Sequence, residues 1–188
     1  MAKLQDYSGE YKPDLKLTDF TQEALAKLLD AAGKLYLGAD GMWTTVIRKR
    51  YGEEVALSCS KEVWETNWKH EVVRPCEAMN IKGNDVATAF KHLQIDPGFA
   101  VMFDCEFDLI NKNHGIFTVT RCNGLDYCER HNNTWLQKLM CEELDEPLFQ
   151  RSAAYFNPDI KVTALKLPPR KSKSDIACRW EYKLEPKR

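Results

Sequence analysis

Long apolar runs are missing from this chain of 188 residues. Nowhere do 18 apolar residues follow one another, and the opening "MAKLQDYSGEYKPD" has no apolar core of the kind a secretory signal needs. The expectation is a cytoplasmic protein with no membrane partner. An excess of one charge is missing too, with 27 basic against 28 acidic residues, so no global field recommends a nucleic acid or an anionic surface. The one basic cluster, Arg170 to Lys173, follows two prolines and reads as a solvated loop. There is no Walker loop, nucleophile elbow, dinucleotide fingerprint or His-Glu-x-x-His, and no internal repeat or low-complexity stretch. Cysteine is not scarce. The seven residues Cys59, Cys76, Cys105, Cys122, Cys128, Cys141 and Cys178 are odd in number and irregular in spacing, which argues against a disulfide framework and for a reducing compartment.

What is present divides by its period. After an extended lead-in, Thr21 stands as an N-cap before apolar residues at Leu25, Leu28, Leu29, Ala32, Leu35 and Tyr36, which predicts one long or kinked helix with a bend where Gly38 and Gly41 flank Asp40. Residues 53–79 read as a further helix or helix pair, and "GNDVATAFKHLQ" as a short helix that ends before Asp96-Pro97-Gly98. The period then falls to two in "VMFDCEFDLI" and "IFTVTRC", joined by "NKNHG" as a hairpin. Helical spacing returns up to Asn157-Pro158, and "DIKVTALKL" with "DIACRWEYKL" supplies a second hairpin across the basic loop. Strands grouped as hairpins favour an α+β fold: an N-terminal helical lobe, residues 1–98, on a four-stranded, mainly antiparallel sheet lobe, residues 99–188.

The chemistry is sought in the late cysteines. Cys122 ends the second strand, Cys141 lies in the following helix and Cys178 in the last strand, so a helix across the sheet could gather all three. Three thiolates with a fourth ligand suit zinc first and an iron–sulfur cluster second. A single nucleophilic thiolate, with Cys178 and Asp145 as catalytic residues, is the alternative, and plain packing of thiols as small hydrophobes stands beside both. Asp145 follows Cys141 by one helical turn and could ligate a metal or act as base. His114 lies a strand's length from Cys122 and reads as a turn residue, and Asp104, Glu106 and Asp108 as the wet side of an outer strand. Asp40, between two glycines in a helical pattern, reads as a pocket residue or a helix–helix turn. Asp40, Trp43 and Trp180 are the substrate-binding candidates, for a small-molecule ligand or substrate.

Several stretches carry a resemblance. "DGMW", "NKNHGIFTVTRC", "CEELDEPLFQRSAAYFNPDIKV" and "LKLPPRKSKSDIACRWEY" resemble the uncharacterised subgroup of the L-2-amino-thiazoline-4-carboxylic acid hydrolase-like family. The resemblance spans nearly the whole chain and is distant for the named enzyme. It implies a cytosolic protein that hydrolyses a carbon–nitrogen bond in a small cyclic amidine. Where members carry His after the helix cysteine, this chain has Glu142. A vinyl-reductase-like sensor domain is similar in outline and implies ligand binding without turnover.

Overall fold

The computed structural model describes residues 3–185. Thr21 caps the first helix, α1 (Gln22–Tyr51), its hydroxyl accepting the Ala24 N–H at 3.2 Å. The expected bend at Asp40 does not occur: α1 runs through Gly38, Asp40 and Gly41 without a break. Packing on one face of the helix outweighs the weak local propensity of those three residues. Gly52, at φ 91°, takes the left-handed backbone that turns the chain into α2 (Glu53–Ala78). Residues 53–79 therefore form one helix and not a pair, with Pro75 accommodated inside its last turn.

Asp85 caps α3 (Val86–Ile95). Asp96 then accepts the Phe99 N–H at 2.7 Å and, with Pro97 at the first helical position, starts α4 (Pro97–Met102). What reads as a plain break in the sequence is thus a helix start, and the first strand begins at Phe103 instead of Val101. The boundary expected after residue 98 falls inside α4. Its Phe99 packs in the sheet core, while on its other side Gly33 of α1 comes so close that a Cβ there would stand 2.6 Å from Val101 Cγ2 and 2.9 Å from the Pro97 carbonyl.

The strands β1 (Phe103–Asn111) and β2 (His114–Cys122) form the first hairpin. Between the hairpins come α5 (Asn123–Arg130), α6 (Thr134–Lys138), a π-helical turn over Leu139–Leu144, and α7 (Asp145–Phe156), which ends at Asn157 as expected. The second hairpin is β3 (Ile160–Lys166) with β4 (Cys178–Leu184). The sheet is antiparallel throughout in the order β1-β2-β4-β3, with Phe117 of β2 opposite Trp180 of β4. An α+β fold is what the structure shows. The inward face of the sheet carries Phe117, Val119, Trp180 and Tyr182, which are buried against Phe90 of α3, Phe99 of α4 and Phe149 and Ala153 of α7. Asp104, Glu106 and Asp108 are exposed, as the alternation predicts.

The basic loop differs from expectation at one residue. Arg170 is buried, its guanidinium bonded to both Glu129 carboxylate oxygens at 2.9 and 2.7 Å and also to Asp126. Two carboxylates one turn apart on α5 match the fork of a guanidinium, so this side chain pins the loop while its neighbours stay in water. Among the described residues no helix is long and apolar enough to cross a membrane.

Candidate functional site

A cavity of about 210 Å³ opens where α1 and α2 meet α3, α4, the π-helical turn and α7. Its lining is mainly apolar, with Leu93, Phe99, Met102, Leu139, Leu144 and Phe149 prominent. Set into that wall are four carboxylates: Asp40 of α1, Glu71 of α2, Asp96 at the start of α4 and Asp145 at the start of α7. Among the described residues no lysine or arginine lines it.

Helix periodicity explains how they converge. Leu37, Asp40, Gly41 and Thr44 lie three and four residues apart, so they share the face of α1 that turns inward. Burial raises the Asp40 pKa, and a hydrogen bond with the Trp64 side chain offsets part of the rise. Burial, reinforced by the Asp96 charge, pushes Glu71 up to about 7. Glu71 accepts the Tyr36 hydroxyl at 2.8 Å, and Asn67 in turn donates to that hydroxyl at 2.6 Å. Asp96 is also raised by burial, although it accepts backbone N–H groups at the α4 start and faces His92. His92 is buried; its Nε2 donates to the Glu71 carbonyl at 3.1 Å and lies 3.5 Å from Asp96 Oδ2. A carbonyl only accepts, so Nε2 carries a proton, and the described residues offer Nδ1 no hydrogen-bond partner. Asp145 is raised to about 7 by burial alone.

Cys122 and Cys141 line the cavity on the Asp145 side. The sulfur of Cys122 accepts the Leu125 N–H at 3.3 Å and so caps α5. Burial pushes its thiol up to about 12, and the Cys141 thiol is raised further, by burial and then by the Asp145 charge. Burial thus favours the protonated thiol at both positions, the weaker nucleophile.

Cys178 is not part of the lining. It is buried in the sheet core, where its sulfur accepts the Trp180 indole N–H at 3.2 Å, and burial raises its pKa as well. Among the described residues no group of three or more His, Cys, Asp or Glu side chains could hold a metal ion. Cys122 shares the core cluster with Cys178, and after burial and Asp145 the charges of Cys122 and Cys178 raise the Cys141 pKa, so the three cysteines of the expected zinc or iron–sulfur centre are neighbours without forming such a group. Trp180 is fully buried between Phe117 and Phe149, in the sheet core. Trp43, one turn beyond Asp40 on α1, points outward beside the cavity face and is 69% exposed. Neither tryptophan lines this cavity, while Asp40 and Asp145 stand in its wall. Cys59, Cys76, Cys105 and Cys128 lie outside it, and His114 pairs with Glu181 at 2.8 Å on the sheet.

Sequence reasoning missed Glu71, Asp96 and His92. Asp96 carried a signal, an Asp-Pro helix start beside apolar residues. Glu71 carried none, since it is one of several acids spread along α2.

Over residues 18–184 the chain matches the family described as "Family of unknown function (DUF6125)", and it belongs to that family. No curated protein and no solved structure matches it.

Proposed function

For this member of a family without an assigned function, we propose that the cavity binds a compact organic cation, a protonated amine or amidine on an apolar body. The observation that carries the reading is the lining itself: four carboxylates in an apolar wall that holds His92 but, among the described residues, no lysine or arginine. An apolar cavity of about 150 Å³ holds benzene, so 210 Å³ admits one ring with a charged substituent. An ionised carboxylate in such a wall lacks a counter-charge, and a cation supplies it with charge-assisted hydrogen bonds. Calorimetry with benzamidine, benzamide and benzoate tests this, since the three differ mainly in charge. Benzamidine should bind most tightly and benzoate least, and Glu71→Gln should erase the difference between benzamidine and benzamide. Equal binding of all three, or a preference for benzoate, refutes the reading.

Turnover is a second reading, favoured by one observation. Glu71 and Asp145 both titrate near 7 in the same cavity, so at neutral pH one carboxyl can hold a proton while another accepts one. Such a pair suits addition of water to an amidine carbon, and the resemblance to L-2-amino-thiazoline-4-carboxylic acid hydrolase-like proteins points to cyclic amidines. Incubation with 2-aminothiazoline should yield a product heavier by one water, and Asp145→Asn should stop turnover with binding retained. Binding without any such product leaves a ligand-binding protein, as the likeness to sensor domains implies.

A further inference from the structure

We propose that α1 is the interface of a homodimer, two copies meeting antiparallel along the helix face opposite the cavity. The face is Leu28, Ala32, Leu35, Ala39, Met42 and Val46, spaced by four and three residues in turn, which is the heptad spacing of helices that pack on a partner. Every one of the six is exposed, Leu35 by 75% and Met42 by 67%. Leu29 and Trp43 extend the stripe along one border, the latter 69% exposed. Of the thirty residues of α1 only Gly33 and Thr44 are buried within the monomer.

Two features select a second copy as the occupant. The exposed parts of Leu28, Leu29, Leu35, Met42, Trp43 and Val46 amount to roughly 700–800 Å², against ~800 Å² that each partner buries in a standard-size interface. The stripe is also complementary to itself. A two-fold axis at position 37 sets Leu28 against the second copy's Val46, Ala32 against its Met42 and Leu35 against its Ala39, so two of the three pairs join a large side chain to an alanine. Alternating large and small residues let two helices interdigitate at close range. The basic residues that border the stripe, Lys27, Lys34, Lys49 and Arg50, spread along its length so that no cluster faces its own image, and Lys34 is paired with Asp30 at 2.6 Å. The opposite face of the same helix contributes Leu37, Asp40, Gly41 and Thr44 to the cavity. The dimer thus fixes the cavity wall from behind and leaves its contents untouched.

Sedimentation velocity on the full chain and on Leu35→Glu tests the interface. The parent should sediment as a dimer that dissociates on dilution, and Leu35→Glu as a monomer with the parent's far-UV circular dichroism and benzamidine affinity. Orientation is tested by a short bis-maleimide. It should join a Leu28→Cys chain to a Val46→Cys chain but neither to itself, because equivalent positions 28 lie ~27 Å apart in the antiparallel pair at about 1.5 Å per residue. A parent that stays monomeric, a Leu35→Glu variant that stays dimeric, or cross-linking of Leu28→Cys to itself overturns the proposal. So does a monomeric parent whose stripe instead binds vesicles of phosphatidylserine and phosphatidylcholine.

Discussion

Replacing Asp145 by Asn removes one charge from the cavity wall with little change of shape, and the effect should depend on pH in a way no packing defect would imitate. The carboxyl has an ordinary pKa of 3.8 in the unfolded chain and about 7 in the folded one, raised by burial. Between those values the folded state holds the proton more tightly than the unfolded state, so stability falls as pH rises from about 4 to about 7 and is level above. The interval corresponds to roughly 4 kcal/mol at about 1.36 kcal/mol per pH unit, and because Asp145 as a whole residue is only partly buried the figure is discounted to about 1–3 kcal/mol. Urea unfolding of both proteins from pH 4.5 to 8.5 measures it. The Asn variant should show the shallower slope, and its stability relative to the parent should rise by about 1–3 kcal/mol between the ends of that range. A stability difference between the two that does not change with pH would show that Asp145 ionises as it does in water, and the argument for a dry carboxylate wall would fall with it.

Two further outcomes follow from packing. Trp180→Ala should lower stability by about 3–5 kcal/mol and Trp43→Ala by less than about 0.5 kcal/mol in the monomeric Leu35→Glu background, read by chemical denaturation, since one ring fills the sheet core and the other lies in water. Gly33→Ala should destabilise by about 1–3 kcal/mol, because its Cβ meets Val101 and the Pro97 carbonyl, whereas Gly38→Ala, with open space around it, should raise the melting temperature through the gain of about 1 kcal/mol in helix propensity. Equal effects of the two glycine replacements would contradict the close approach of α1 to α4.

What the sequence determined by itself is local. The period of two in "FTVTRC" and "CRWEYKL" sets which residues of β2 and β4 face inward, and pleating alone puts Phe117, Trp180 and Tyr182 on one side. The cap at Thr21 starts its helix because its side-chain oxygen satisfies an N–H group that nothing else in the first turn can, whereas the choice of Asp85 over Asn84 as the α3 cap was made by the fold. The i, i+4 step from Cys141 to Asp145 was legible for the same reason and does place both in one wall. Asp40 was marked by the weak propensity of its neighbours, a conflict that the folded helix resolves by packing. The tertiary structure alone decided which polar residues share a cavity. Glu71 and Asp96 are separated by a helix end, a turn and the whole of α3, and only the docking of α2 beside α3 and α4 brings them within reach of each other's charge. Cys178 has the same period as its core neighbours, and nothing in a strand's alternation says whether the inward face at that height meets a void or a tryptophan. That answer depends on side chains from α7 and β2 that are distant in sequence. Buried charge is therefore the part of this protein that a sequence conceals, since its energy depends on what the folded chain removes from water around it.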